Sequence, residues 1–116
     1  MTTITLYHNP RCSKSRQALA LLEARGVTIQ VRRYLDEPLS ADELRDLTAR
    51  LDGDLKALVR RQEAEWKALD ADAGDIEQVI SAIVAHPKIM ERPIADDGRR
   101  AVVGRPPEDV LTLLEA

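Results

Sequence analysis

The chain has 116 residues, of which 44% are hydrophobic and 32% are charged, and its formal net charge at pH 7 is −3. These values fit a globular protein and exclude a disordered chain, and the negative charge argues against a nucleic-acid partner. No apolar run approaches the roughly 20 residues of a membrane span and no secretory signal opens the chain, so we expect one domain, residues 1–116, in the cytoplasm.

The N-terminal third predicts a strand, a loop, a helix and a second strand. Residues 3–7 (TITLY) alternate polar and apolar side chains, and an Asn-Pro pair then ends this strand. An apolar face over residues 13–25 predicts a helix that ends at Gly26. Residues 27–35 form a β-branched run that we expect to pair parallel with the first strand.

Residues 40–86 predict a helical insert. Ser40 and Glu43 have the spacing of a capping box, and Asp54 is a candidate cap for a further helix. Apolar residues over 76–84 recur at the spacing of one helical face. We therefore expect residues 40–86 to be helical throughout.

The C-terminal part predicts a β-hairpin and a last helix. Asp97-Gly98 is a common two-residue hairpin turn and lies between two short β runs. Residues 108–114 follow as a helix, with Pro107 at its first position. The predicted order is β-α-β, a helical insert, then β-β-α.

Cys12 is the only cysteine, and it lies where the first strand gives way to the first helix. Unpaired amides at a helix start stabilise an anion, so they favour the reactive thiolate and would also hold an incoming oxyanion. The cations His8, Arg11, Lys14 and Arg16 would add to this if they turn inward. A lone cysteine is commonly a small buried apolar residue, but the polar neighbours of Cys12 favour a reactive thiol.

Ser15 stands where a dithiol oxidoreductase of the Cys-x-x-Cys type has its second cysteine. A disulfide formed by Cys12 must therefore be resolved by an outside thiol. His8 has two alternative roles: as an imidazolium it would favour the thiolate, and as a neutral ring it would bond the loop backbone. We interpret Tyr34 and Trp66 as partly buried packing residues.

The stretch HNPRCSKSR resembles the His-Asn-Pro-x-Cys-x-x-Ser-Arg signature of the glutaredoxin-dependent arsenate reductase family. The resemblance implies an α/β, thioredoxin-like (glutaredoxin-like) three-layer fold, in which a mixed four-stranded sheet carries the helical insert. It also implies a catalytic Cys12 with His8, and a cis proline at Pro93. The implied oxyanion-binding residues are Arg60, in the second half of the insert, with Arg92, Arg105 and Ser15.

The arginines suit this role because a guanidinium stays charged and offers paired hydrogen bonds to an oxyanion. Arg61, beside Arg60, is a competing candidate that only the family register sets aside. The resemblance implies a monomer that reduces arsenate, or another small oxyanion, through a Cys12 thioarsenate. Glutathione and glutaredoxin would be external reductants, and we expect no bound cofactor or metal, since the two histidines and the cysteine are widely spaced.

Two other functions remain open from the sequence. The first is a monothiol, glutaredoxin-like thiol transferase, which would need a groove for glutathione but no converging arginines. The second is a redox-sensing regulator that binds RNA polymerase, a role that we associate with Cys-x-x-Cys and that Ser15 disfavours.

Overall fold

A computed structural model describes residues 3–114 of the chain. One sheet contains four strands in the order β2-β1-β3-β4. The strands are β1 (Thr3–Tyr7), β2 (Thr28–Arg32), β3 (Ile94–Asp96) and β4 (Ala101–Val103). Only β1 and β2 run parallel, while β3 is antiparallel to both β1 and β4. The predicted mixed four-stranded sheet and the parallel β-α-β unit are therefore confirmed.

The helices follow the predicted order. They are α1 (Ser13–Ala24), α2 (Ala41–Arg50), α3 (Ala64–Leu69) and α4 (Ile76–Ala85), with 3₁₀ helices at Leu55–Leu58, Pro87–Ile89 and Pro107–Leu114. Gly26 follows α1 with φ +70°, a backbone angle that favours glycine. Ser40 and Glu43 form the predicted capping box of α2. Within residues 3–114, no helix is both long and apolar enough to cross a membrane.

Two apolar clusters cover the two faces of the sheet. The smaller cluster packs α1 and the last 3₁₀ helix against Ile4 and Leu6 of β1. The larger cluster joins Tyr7 to α2, α4 and the rest of the insert, and it includes Tyr34 and Trp66. Side chains alternate between the faces because successive residues of a strand point to opposite sides. The sheet is thus the middle of three layers.

The insert differs from the continuous helix that we expected over residues 40–86. Non-helical segments separate α2, the four-residue 3₁₀ helix, α3 and α4. Asp54 does cap the segment that follows it, but by accepting from the amide of Lys56 at the start of a 3₁₀ helix. Apolar periodicity is clear only in α2 and α4, because the shorter pieces offer too few residues to show a helical period.

Two smaller corrections concern the strands. β2 ends at Arg32 rather than at residue 35, because the chain turns at residues 34–36. The hairpin turn has four residues, 97–100, instead of two, since Asp96 pairs with Ala101 and Asp97 N donates to Arg100 O. Gly98 takes a positive φ within this turn.

An ion pair ties α2 to the sheet. Asp96 of β3 is only 5% exposed, and Arg50 at the end of α2 donates to both of its carboxylate oxygens. The shortest of these contacts joins Arg50 Nη2 to Asp96 Oδ2 at 2.6 Å. Asp96 also accepts from the amide of Gly98, so the same carboxylate fixes the hairpin turn.

Candidate active site

The sheet brings three distant segments of the chain to one edge. Tyr7 at the end of β1 pairs with Ile94 at the start of β3, and Ile94 pairs with Val103 at the end of β4. The segments that follow β1, precede β3 and follow β4 therefore meet. They contain the cysteine loop (residues 8–12), Arg92 and Arg105.

The cysteine loop is fixed by Asn9. Its carbonyl accepts from the amide of Cys12 at 3.0 Å, and its side-chain oxygen accepts from the amide of Arg11 at 3.0 Å. Cys12 then stands at the N-cap of α1, and its own side chain makes no capping hydrogen bond. The thiol is free and partly exposed at the start of the helix, as the sequence predicted.

His8 and Ser15 form a buried hydrogen-bonded pair that supports the cysteine loop. His8 Nδ1 and Ser15 Oγ lie 2.6 Å apart, and Ser15 Oγ also accepts from the amide of Asn9 at 3.0 Å. His8 is 5% exposed and Ser15 is fully buried. Burial first, and then the charges of Arg33 and Arg16, lower the pKa of His8, so the ring is neutral at pH 7. The lowered pKa disfavours the imidazolium alternative for His8, and the ring nitrogen bonds the Ser15 hydroxyl instead of the loop backbone of the other alternative.

The Cys12 thiol has a lowered pKa. Burial raises that pKa, but the backbone N–H groups of Ser15 and Lys14 and the charges of Arg92 and Arg105 together outweigh burial. The cations that lower the pKa most are thus remote in sequence, whereas the neighbouring Arg16 directs its guanidinium to the carbonyl of Pro10. Backbone amides and two arginines make Cys12 a better thiolate than an ordinary cysteine.

Arg105 is the predicted arginine that contacts the sulfur. Its Nη2 lies 3.7 Å from Cys12 Sγ, and its Nε donates to the carbonyl of Arg92 at 2.9 Å. Both arginines precede cis prolines, at Pro93 as the resemblance implied and also at Pro106. Arg92 is more buried than Arg105, and its Nε has no hydrogen-bond partner within residues 3–114.

Arg60 lies in an irregular segment and not on a helix. The segment runs beside residues 88–91, where Arg60 N donates to Ile89 O at 2.7 Å. The guanidinium donates to Lys88 O and lies 2.7 Å from Glu63. Arg61 is also outside a helix, and it lines the same cleft as Arg60.

One cleft of about 400 Å³ contains all three predicted arginines. Its lining consists of Val59, Arg60, Arg61, Gln62, Glu63, Glu91, Arg92 and Arg105. Arg105 connects this cleft to Cys12 through the 3.7 Å contact. Four cations and two carboxylates thus line a space large enough for a small tetrahedral anion, next to a thiol.

Sequence reasoning missed two residues of this region. Glu91 Oε1 lies 3.3 Å from Arg92 Nη1 and 3.5 Å from Arg105 Nη2, although in sequence it resembles any surface acid. Tyr34 is 2% exposed, and its pKa is raised to about 12 by burial, against the charges of Arg92 and Arg60. It therefore remains a neutral hydroxyl near the arginines, whereas the sequence indicated only a partly buried packing residue.

The arrangement suits nucleophilic attack on a bound oxyanion. A thiolate is the reactive form of cysteine, and guanidinium groups and helix amides stabilise negative charge that develops on oxygen. Within residues 3–114, no three His, Cys, Asp or Glu side chains form a group that could hold a metal ion.

Fold and site together define a thioredoxin-like α/β protein with one activated cysteine beside an arginine-lined cleft. A family model described as the ArsC family matches residues 7–113. This match covers nearly the whole chain, and the chain belongs to the ArsC family.

The similarity to known proteins extends over nearly the full length of this chain and of its relatives. A Haemophilus influenzae protein named arsenate reductase is 39% identical over 97% of this chain and 99% of its own. The Escherichia coli K12 protein YfgD, named uncharacterized, is 45% identical over 96% of both chains. The solved structure of an arsenate reductase from Vibrio cholerae has a TM-score of 0.87 at 39% identity, and the similarity covers 96% of this chain and 97% of that one. These similarities confirm the predicted fold.

Proposed function

We propose that the protein is an arsenate reductase in which Cys12 is the nucleophile and Arg60, Arg92 and Arg105 hold the oxyanion. The observation that carries this proposal is the contact of the Cys12 sulfur with Arg105, one of the three arginines that line the cleft. The names of the full-length relatives supply the substrate. Arsenate is a tetrahedral anion whose oxygens match paired guanidinium donors.

The first chemical step forms a bond between sulfur and arsenic. The Cys12 thiolate donates its electron pair to the arsenic atom, one arsenic–oxygen bond breaks, and that oxygen leaves as water after it gains protons. The arginines stabilise the charge on the remaining oxygens. The product is a thioarsenate in which arsenic is still pentavalent.

The second step uses an external thiol because Cys12 has no partner cysteine in the chain. The glutathione thiolate attacks the Cys12 sulfur, and the electron pair of the sulfur–arsenic bond passes to arsenic, which leaves as trivalent arsenite. Glutaredoxin then attacks the glutathione sulfur of the mixed disulfide and releases the Cys12 thiolate. A requirement for reduced glutathione would suit a reaction in the reducing cytoplasm.

His8 and Ser15 act in this proposal through position. The His8–Ser15 hydrogen bond fixes the loop, and the backbone amide of Ser15 helps to lower the pKa of the Cys12 thiol. Ser15 then aids oxyanion binding through its amide, since its buried hydroxyl is already bonded to His8 and Asn9.

The test is arsenate-dependent oxidation of NADPH by the purified protein with glutathione, glutaredoxin and glutathione reductase. We expect Cys12→Ser to abolish the activity. Arg60→Ala should lower kcat/KM by about 100-fold, the usual effect of removing one donor to a developing oxyanion. Arg99→Ala, a change in the exposed hairpin turn, is the matched arginine control and should leave kcat/KM unchanged.

The two alternative functions predict different results. A glutathione-dependent thiol transferase would reduce a mixed-disulfide substrate equally well with Arg60→Ala. A polymerase-binding regulator would retain RNA polymerase subunits in a pull-down with Cys12→Ser and show no arsenate turnover. Either result, without arsenate-dependent NADPH oxidation by the unmodified protein, would reject the proposed reaction.

A further inference from the structure

The arginines of the cleft already bind carboxylates of the same chain. Glu91 Oε1 contacts Arg92 Nη1 at 3.3 Å and Arg105 Nη2 at 3.5 Å. Glu63, which also lines the cleft, lies 2.7 Å from Arg60 Nη2. One carboxylate oxygen of Glu91 thus bridges the two arginines whose charges act on Cys12.

Glu91 is held in this position by its backbone. Its amide donates to Leu58 O at 2.7 Å, beside the β-bridge that pairs Val59 with Met90. Its side-chain oxygen also accepts from the amide of Arg92 at 3.1 Å, and the side chain is only 22% exposed. This is not a solvated surface acid that meets an arginine by chance.

We propose that Glu91 is a specificity-determining residue of the oxyanion site, an internal carboxylate that an incoming anion must displace from Arg92 and Arg105. This role rests on the proposed function in one respect, that these arginines bind the substrate oxyanion. A carboxylate oxygen and an arsenate oxygen accept the same hydrogen bonds from guanidinium, so the two compete for the same donors.

The Glu91 oxygen between Arg92 and Arg105 favours competing anions of one shape. Glu91 satisfies two guanidinium groups at once, so an anion gains by displacing it only when it contacts both groups. A halide could only take the place of the single Glu91 oxygen between the two groups, whereas a tetrahedral oxyanion has further oxygens that accept additional hydrogen bonds from the guanidinium groups of the cleft. Glu91 therefore lowers the affinity for all anions, and it excludes the simplest ones.

The test measures anion binding without turnover. Iodoacetamide alkylates Cys12, and sulfate bound beside the thiol should slow this reaction. The rate is followed against sulfate concentration at constant ionic strength for the unmodified protein, Glu91→Gln and Glu91→Ala, each normalised to its own rate without sulfate. Glu77→Gln is the matched control, since Glu77 pairs with Arg45 on the surface and lies outside the cleft.

We expect both Glu91 variants to be half-protected at about tenfold lower sulfate, because an opposing charge has been removed from the site. Chloride should begin to protect Cys12 in these variants but not in the unmodified protein. Glu77→Gln should match the unmodified protein. In steady-state assays, Glu91→Gln should lower the KM for arsenate.

A rise in the sulfate concentration needed for half-protection would overturn the inference. If Glu91 only positions the arginines, both variants will need more sulfate for protection than the unmodified protein does. Unchanged protection, or no protection of any variant, would overturn it as well. Sulfate is not reduced by thiols, so a tenfold gain in binding without any arsenate turnover would reject the proposed reaction and leave the role of Glu91 standing.

Discussion

Cys12 shows how opposing effects on one sulfur decide its chemistry. Burial disfavours the thiolate, whereas helix amides and two guanidinium groups favour it, and the second set of effects is larger. The basic residues adjacent in sequence contribute less than Arg92 and Arg105, which the fold brings from its other end. The reactivity of this cysteine is therefore a property of tertiary structure.

Removing Arg105 should raise the pKa of the Cys12 thiol. The folded protein has a depressed pKa, so loss of a nearby positive charge makes the thiolate less stable. The pH profile of iodoacetamide alkylation should then move to higher pH in Arg105→Ala, with a several-fold slower reaction at pH 7. Arg99→Ala, in the exposed turn, should leave the profile where it is, and an unmoved profile in Arg105→Ala would contradict the electrostatic account.

Ser15→Ala should destabilise the fold by about 1–3 kcal/mol, because it leaves the buried His8 Nδ1 and the partly buried Asn9 amide without their partner. Urea unfolding followed by circular dichroism gives this difference. Ser13→Ala changes an exposed hydroxyl on the same helix and is the control, with a change within about 0.5 kcal/mol. Equal stabilities of the two variants would show that the Ser15 bonds add nothing.

At the scale of elements, α2 is fixed to β3 by charge as well as by apolar contact. Arg50 donates to both carboxylate oxygens of Asp96, and Asp96 is almost fully buried. Arg45, which precedes Arg50 in the same helix, makes its ion pairs on the exposed surface of α2 and α4. The same residue type thus serves two different roles in one helix.

Arg50→Met should cost about 3 kcal/mol of stability, since it leaves the Asp96 carboxylate buried without its counter-ion. Methionine keeps much of the apolar stem of arginine, so the loss reports mainly on the charge. Arg45→Met should cost less than about 1 kcal/mol, as exposed ion pairs contribute little. Urea midpoints that are equal for the two variants would refute the distinction.

Elements with clear periods and caps were predictable from the sequence. β1, α1, α2 and α4 each combine an apolar pattern with an end signal, and all four were confirmed. Short segments of the insert were not, because α3 has six residues and the 3₁₀ helix before Arg60 has four. Tertiary contacts, such as the bridge from Val59 to Met90, decide their conformation.

The residues of the candidate site were likewise predictable only in part. Cys12 was predictable because a polar loop before a helix is a local feature, and the arginines followed from the family resemblance. Glu91 was not, since nothing in its neighbourhood indicates that it will bridge two arginines, one of them in a segment beyond β4. The roles of Cys12, His8, Ser15 and the three arginines stay predictions until the variants are measured.

At the scale of the whole molecule, the site exists only in the folded state. The loop after β1 and the segments flanking β3 and β4 meet through the sheet, and the segment around Arg60 joins them through its hydrogen bond to Ile89 O. An anion that binds them all binds the folded protein and has no equivalent site on the unfolded chain. Binding free energy therefore adds to folding stability.

Sulfate should consequently raise the melting temperature of the protein. At 100 times its dissociation constant, a ligand of the folded state adds about 2.7 kcal/mol. Sulfate also stabilises proteins generally by exclusion from their surface, so Arg60→Ala measures that background. The melting temperature should rise more steeply with sulfate in the unmodified protein than in Arg60→Ala. Parallel curves would mean that no specific anion site is coupled to folding.

The hairpin turn at residues 97–100 lies at the edge of the sheet opposite the cysteine loop, because β3 starts beside the end of β1 and runs back along it. Residues 98–100 are exposed. A linker or affinity handle inserted in this turn would anchor the molecule to a solid support with its cleft turned toward the solution. The same topology that gathers the site thus provides a place of attachment for an oriented biosensor for small oxyanions.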